Sequence, residues 1–268
     1  MKALLRKALR RVGFDIVRYT PAQTTLRSER TSALTRFETK TGNYYLPTDA
    51  HGDVVANAIK AGKIFEPEVV NLALSQIRPG SVVLDVGANF GQMSVLFAQH
   101  AGPQGKVYAF EADDFVFEIF KRNIDANSLN GRIEPVFGAV HDVAGETLYF
   151  PVQDFKRWSS YGSYGVDYNA AAGRAVRTLT IDSLEINEPV SFMKIDIQGG
   201  DLQAMKGAKR TIEHHRMPII FEYEYHFEDE YKLSFQEYVD FVQSIDYRFQ
   251  KVVSGHNFLI VPRERPLT

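Results

Sequence analysis

Ten residues from Val82 to Gly91, Val-Val-Leu-Asp-Val-Gly-Ala-Asn-Phe-Gly, constrain the fold of this chain more than any other stretch. Val82 to Leu84 is an apolar run that reads as a buried strand, with Asp85 at its carboxyl end. Gly87, Asn89 and Gly91 then form a tight turn, and Met93, Val95, Leu96 and Phe97 begin a helix pattern. Strand, glycine turn and helix make the nucleotide-binding corner of an open α/β sheet, where ligands sit beyond the carboxyl ends of the strands. A dinucleotide places its pyrophosphate on bare backbone amides, with the spacing G-x-G-x-x-G. Here the spacing is G-x-N-x-G, and Asp85 repels a pyrophosphate while attracting a cation. S-adenosylmethionine carries a sulfonium and an ammonium and no phosphate, so this corner suits it better than NAD.

A second acid follows at the expected distance. Lys106 to Phe110 reads as another apolar strand, and Glu111 ends it about 20 residues beyond Gly91. Its two carboxylate oxygens match the two adjacent hydroxyls of a ribose. Composition narrows the alternatives. The 31 basic and 33 acidic residues leave a formal charge of −2, which gives no global electrostatic case for nucleic acid. The chain has no cysteine, which excludes disulfides, thiolate metal sites and cysteine nucleophiles. It has no uninterrupted apolar run long enough to span a bilayer and no internal repeat.

Met1 to Tyr19 departs from the average. Lys2, Arg6, Lys7, Arg10, Arg11 and Arg18 stand against Asp15 alone, and Leu5, Ala8, Leu9, Val12 and Ile16 recur at helical spacing. This is a basic amphipathic helix, and two readings are open. It can bind an anionic membrane surface weakly and reversibly, or pack on the domain or a second subunit of a homo-oligomer. The charges interrupt every apolar stretch too early for a secretory signal. Thr20 to Lys40, rich in Thr, Ser, Arg and Glu, reads as a linker, which puts a domain boundary between residues 1–40 and 41–268.

Within 41–268 the pattern alternates. Helices are expected at Val54–Ile59, Pro67–Ile77, Phe115–Ala126, Asp201 to about His214, and Phe235–Ile245. Further strands are expected at Ile133–Val140, Val143–Val152, Ala175–Leu179, Phe192–Ile197 and Pro218–Tyr223. Phe249–Val253 and Asn257–Val261 could form a terminal hairpin around Ser254-Gly255. Alternation over residues 80 to 225 predicts a largely parallel, doubly wound sheet. Residues 154–174, rich in Tyr, Ser, Gly and Ala, fit no regular pattern, and their length marks a functional loop or lid over the acceptor.

With these segments placed, the chain from about Asp53 to Glu224 resembles the FkbM family of S-adenosylmethionine-dependent methyltransferases. The resemblance rests on Ile64-Phe65-Glu66-Pro67-Glu68, Leu84 to Gly91, Ala109-Phe110-Glu111 and Gly138-Ala139-Val140. It continues in Thr178 to Asp182, Lys194 to Asp201, Lys206-Gly207-Ala208 and Glu222. It implies a Rossmann-like, seven-stranded class I methyltransferase sheet with its last strand antiparallel, here with an N-terminal helical extension. It also implies oxygen methylation, often of sugars or natural products, and puts Glu66, Asp85, Gly87, Ala88, Asn89, Gly91, Glu111, Ala139, Val140 and Asp196 at the cofactor. His141, just past the third strand, is placed near the adenine. Three residues depart from the family pattern: Ala112 stands for a common Pro, Gln198 for a Glu, and Asp201 for a Glu.

Methyl transfer is an in-line displacement, and a hydroxyl acceptor needs a group to receive its proton. Asp196, at the end of the fourth strand, is the first candidate, followed by Glu222 and His226 near the end of the fifth. Gln198 removes a charge from the reaction centre. Asp201 is expected to cap its helix. Trp158, Tyr161 and Tyr164, interleaved with Ser and Gly, suit a sugar or another flat acceptor, so Trp158, Tyr161, Tyr164 and Gln198 are assigned to substrate. No His-x-x-x-His or comparable cluster points to a metal. The expected protein is therefore a cytoplasmic methyltransferase of a glycan precursor, with a soluble metabolite as the alternative acceptor and a non-catalytic binding module as the alternative class.

Overall fold

The computed structural model describes residues 33–150, 160–161, 165–167, 170–225 and 232–266. The chain divides into two compact units, Met1–Arg30 and Thr31–Thr268, and every described residue belongs to the second. The expected N-terminal helix lies outside the described residues.

The second unit is built on a seven-stranded sheet in the order β5-β4-β3-β9-β10-β12-β11. Its strands are β3 (Val82–Val86), β4 (Lys106–Glu111), β5 (Ile133–Phe137), β9 (Val190–Ile195), β10 (Ile219–Glu222), β11 (Tyr247–Ser254) and β12 (Asn257–Pro262). The pairs from β5 through β10 are all parallel, and β12 runs antiparallel to both neighbours. This is the expected seven-stranded methyltransferase topology, with the chain order reversing between β3 and β9. Val82, Val83, Leu84 and Val86 of β3 are buried, each worth about 1.5–3 kcal/mol against exposure. That is why a continuous apolar run rather than an alternating one marks a central parallel strand.

Helices cover both faces: α1 (Val54–Lys60), α2 (Pro67–Gln76), α3 (Gln92–Ala101), α4 (Asp114–Ala126), α5 (Asp201–Lys206), α6 (Lys209–His215) and α7 (Phe235–Ser244). Two apolar clusters result, one centred on Val83, Phe97, Phe120 and Phe192, the other on Leu84, Met193, Met205 and Phe221. α7 opens with a capping box between Ser234 and Glu237, as its sequence requires.

Four expectations change. Leu34–Thr39, expected to be linker, is β1, paired in register with β2 (Gly42–Pro47). Asn123 of α4 and Asn127, which caps its carboxyl end, satisfy the outer edge of β2: Asn123 Oδ1 accepts from Tyr45 N–H at 2.6 Å, and Asn127 Oδ1 from Asn43 N–H at 2.9 Å. The third strand breaks at Gly138 (φ 150), where a Cβ would lie 2.6 Å from Leu179 Cδ2. Ala139–Val140 (β6) thereby leaves the large sheet and joins β7 (Thr147–Phe150) and β8 (Arg174–Leu179) in a three-stranded sheet. The helix expected from Asp201 to His214 is two helices, parted where Gly207 packs against the His141 carbonyl; a Cβ there would stand 1.9 Å from that oxygen. Asp201 is not a cap, since Gly200 takes that position and Asp201 is the first helical residue, fully buried.

Candidate active site

The carboxyl ends of β3, β4, β9 and β10 open into a cavity of about 640 Å³. One end is lined by Phe110, Ala112, Ala139, Val140, Phe150 and Val166. β6 to β8 close this end, and Arg174 fastens them to the main body. Its guanidinium bonds Asp113 Oδ2 and Asp114 Oδ1, both at 2.8 Å, and lies over the Phe150 ring at 4.8 Å.

Between this apolar end and the floor stands Glu111. Its Oε2 accepts from Asn89 N–H and its Oε1 from Asp113 N–H, each at 2.8 Å, so both oxygens are fixed in direction. Burial pushes its pKa up to about 7, with the two amides opposing. Asn89 can offer its amide because it adopts φ 52, a left-handed conformation that Asn tolerates well. Gly87 N–H and Ala88 N–H both donate to Phe110 O, at 3.0 and 2.8 Å, which clamps the turn onto β4. Gly87 (φ 86) is required twice over, by its backbone angle and because a Cβ would meet Asp196 O at 1.9 Å.

Asp85 does not face the cavity. It is fully buried, and its Oδ2 accepts from Ser94 Oγ at 2.5 Å. Its register partner on β9 is Lys194, whose Nζ lies 3.8 Å from Asp85 Oδ1, 3.4 Å from Asp196 Oδ2 and 2.9 Å from Gly87 O, to which it donates. Asp85 therefore holds a lysine that holds the turn, rather than contacting a sulfonium as its position at the strand end had implied. Burial raises the Asp85 pKa, and Lys194 and Ser94 pull it back. The surrounding carboxylates outweigh the burial of Lys194 and hold it as an ammonium.

At the far end Asp196, Gln198, Glu222, Glu224 and Glu66 line the cavity with His256 and Asn257. Gln198 Nε2 reaches Asp196 Oδ1 at 3.2 Å and Glu222 Oε2 at 3.0 Å. Burial is the largest influence on both acids and raises the pKa of each. For Asp196, Lys194 and the donors from Glu222 and Gln198 outweigh it, so the net shift is downward. For Glu222, the charges of Asp196 and Asp201 add to it and push the value up to about 10. The surroundings thus favour the charge on Asp196 and the proton on Glu222. Asn257 Nδ2 donates to Glu66 Oε1 at 3.3 Å, and burial raises the Glu66 pKa.

Of the residues assigned from sequence, the structure brings Glu66, Gly87, Ala88, Asn89, Glu111, Ala139, Val140, Asp196, Gln198, Glu222 and Tyr161 to the cavity wall. Asp85 stands behind it. Gly91 also lies outside the wall; it starts α3 at φ 88, and a Cβ there would sit 2.3 Å from the Phe120 ring, so its role is packing. His141 is away from the wall as well, buried with its Nδ1 2.7 Å from Asp142 Oδ1. Tyr161 is a wall rather than an open platform: it stacks on Phe115 at 5.5 Å, and its N–H donates to Asp53 Oδ2 at 2.7 Å. Trp158, Tyr164 and His226 lie outside the described residues.

Sequence reasoning missed Lys194, Val54, Val55, His256 and Asn257 as lining residues. Lys194 did carry a signal, a lone charge within the apolar run Val190–Ile195. Gln92 was missed too; it accepts from Phe65 N–H and donates to Lys63 O, both at 2.9 Å, and so ties the approach to α2 against α3.

The donor set fits S-adenosylmethionine. Carboxylates are arranged for a diol and for cationic groups, beside an apolar slot for a base. Among the described lining residues, the one lysine is already engaged by Asp85, Asp196 and Gly87 O. A pyrophosphate would find acids where it needs donors.

The comparisons agree with this geometry. Residues 85–249, well over half of the chain, match the family described as the methyltransferase FkbM domain. The 31-O-demethyl-FK506 methyltransferase FkbM of Streptomyces tacrolimicus is 41% identical over 70 residues, 26% of this chain and 26% of that protein. A protein-L-isoaspartate O-methyltransferase of Aeropyrum pernix is 39% identical over 77 residues, 28% of this chain and 30% of that protein. The chain thus matches under a third of the length of either relative. A crystal structure of the methyltransferase FkbM from Methylobacillus flagellatus aligns with 72% of this chain and 50% of its own, at 18% identity and a TM-score of 0.46. A strand-end acid behind a G-x-N-x-G turn, a ribose-type glutamate and a family match across the domain lead to one conclusion: the chain belongs to the FkbM methyltransferase family, whose cofactor is S-adenosylmethionine.

Proposed function

We propose that this protein is an S-adenosylmethionine-dependent O-methyltransferase. One observation carries the reading: a single cavity holds a clamped glutamate beside an apolar slot at one end and Asp196 bridged to Glu222 through Gln198 at the other. S-adenosylmethionine, when bound, supplies an electrophilic methyl group. Glu111 receives the ribose hydroxyls, and the apolar slot receives the base. Asp196 accepts a hydrogen bond from the acceptor hydroxyl and orients its lone pair. Transfer would form the new carbon–oxygen bond as the methyl–sulfur bond breaks and S-adenosylhomocysteine leaves, and the acceptor oxygen, briefly an oxonium, would pass its proton to Asp196. An oxonium is a strong acid, so a carboxylate of lowered pKa suffices as the receiver.

We infer a sugar hydroxyl of a surface glycan or glycolipid precursor as the acceptor. The support is the family's acceptor chemistry together with the basic amphipathic pattern of residues 1–19, which suits a site peripheral to a membrane. Among the described residues, no helix is long and apolar enough to cross one.

The test is calorimetric titration with S-adenosylhomocysteine, with NAD as control, followed by transfer of labelled methyl from S-adenosylmethionine to free sugars, nucleotide sugars and lipid-linked glycans. Labelled product stable to alkali identifies an ether. Preference for NAD would overturn the cofactor reading, and label confined to alkali-labile ester would overturn oxygen methylation of a hydroxyl.

A further inference from the structure

Gln198 occupies the turn between β9 and α5 in a left-handed conformation, φ 55, followed by Gly199 at φ 94. A non-glycine residue adopts that conformation at a cost. Here it turns the side chain back over the strand ends, where one amide nitrogen meets carboxyl oxygens from two adjacent strands, Asp196 after β9 and Glu222 at the end of β10. A primary amide has two N–H donors, so a single nitrogen can serve two acceptors. A glutamate, which the family pattern often has at this position, offers no donor when ionised and adds a further negative charge.

We propose that Gln198 is a positioning residue for methyl transfer: its amide bridges Asp196 and Glu222 and holds the Asp196 carboxyl group in place at the acceptor end of the cavity. This rests on the reading that these two acids stand at the acceptor end. The sequence alone presented Gln198 as a lost charge or a substrate contact; the geometry makes it the donor that ties two carboxyl groups from adjacent strands together. The charged groups facing the pair are Lys194, Glu66, Asp85 and Asp201 for Asp196, and Asp201 and Glu224 for Glu222. Lys194 is the only cation among them, and it lies on the Asp196 side. The asymmetry of the pair therefore comes from the ammonium, while the amide donates to both acids and holds them together. Without the amide, Asp196 loses a donor and becomes more basic.

The test needs no acceptor. The full chain is labelled at its Asp and Glu carboxyl carbons, and the two signals are assigned with Asp196→Asn and Glu222→Gln and followed by NMR against pH. In Gln198→Leu and in the isosteric Gln198→Glu, the Asp196 midpoint is expected to move upward. In Gln198→Asn, which keeps an amide but reaches less far, the shift is expected to be smaller. Folding of each variant is checked by thermal melting, and Gln198→Glu serves if the leucine variant does not fold. An Asp196 midpoint unchanged in a folded variant overturns the proposal. S-adenosylhomocysteine titration runs alongside: absent binding with a shifted midpoint would refute the methyltransferase reading while leaving the bridge intact.

Discussion

Asp201 makes the fold proton-dependent in a way that can be measured. It is fully buried at the first position of α5, and its Oδ1 accepts from Glu222 N–H at 3.2 Å, tying the end of β10 to the turn after β9. Burial chiefly, and the charge of Asp196 next, raise its pKa from 3.8 to about 7. Because the folded value is the higher one, the folded chain binds more protons than the unfolded chain between those two values, and stability falls as pH rises through that window. The slope approaches 1.4 kcal/mol per pH unit, and integrating it from about pH 5 to about pH 8 gives a loss of about 2–3 kcal/mol from this group alone. Asp201→Asn keeps a carbonyl for the Glu222 amide and removes the ionisation. Urea unfolding of both proteins across that range should therefore show the wild type losing about 2–3 kcal/mol more than the variant, with unchanged denaturant slopes. Glu111, raised to about 7, acts in the same direction in both proteins and cancels from the comparison, whereas Glu222, raised to about 10 partly by the Asp201 charge, titrates above the pH range compared. Parallel pH profiles would refute the argument, because they would mean that Asp201 ionises as readily in the fold as in the unfolded chain.

Three further outcomes are expected. Glu111→Gln should weaken S-adenosylhomocysteine binding about 10- to 100-fold by calorimetry, the cost of charge-assisted hydrogen bonds to a diol, and should lower the melting temperature, because its NH2 group must face the Asn89 or Asp113 amide that a carboxylate oxygen accepts. Lys194→Met should destabilise by about 3–5 kcal/mol in urea, because it strands the buried Asp85 charge, and adding Asp85→Asn should recover much of that loss. Gly87→Ala should cost about 3 kcal/mol or more and abolish cofactor binding, since the Asp196 carbonyl occupies the space that a Cβ needs.

The parts of the fold that were legible in the sequence are those whose cause is local. β3 declared itself because all five of its residues are buried and apolar apart from its terminal acid region. Glu111 declared itself because a strand end and a ribose impose a spacing. The terminal hairpin was visible in its turn residues, and its antiparallel placement followed from the family resemblance. What stayed hidden depends on partners far away in the chain. Leu34–Thr39 alternates weakly and is a strand because β2 pairs with it, and Asn123 of α4 and Asn127 at its C-cap in turn satisfy β2. Gly207 breaks a helix because the His141 carbonyl presses on it. Gly87 and Gly91 look alike in sequence and share a left-handed φ, yet one makes room for Asp196 and the other for Phe120. The side chain of Asp85 turns inward toward a lysine 109 positions later, and no reading of its own segment could supply that contact.

The two motifs at 82–91 and 194–201 are one electrostatic unit, and the sheet register explains why. In β3 and β9, paired in parallel, Asp85 stands opposite Lys194, and Ile195 opposite Val86 turns into the core. Two residues further on each strand, past the last paired positions, Gly87 lies against Asp196. Side chains two apart on a strand share a face, so Lys194 can reach Asp85 beside it, Asp196 ahead of it and the Gly87 carbonyl between them. One buried ammonium thereby sets the turn that carries Asn89 to Glu111 and bears on the charge of Asp196, the acid proposed to meet the acceptor. An arginine could not replace it without displacing the turn, because its planar fork has no counterpart to a compact point charge shared among three oxygens. The cofactor end and the acceptor end of the cavity are coupled through this lysine, and a change at position 85 should be felt at Asp196 without any contact between Asp85 and substrate.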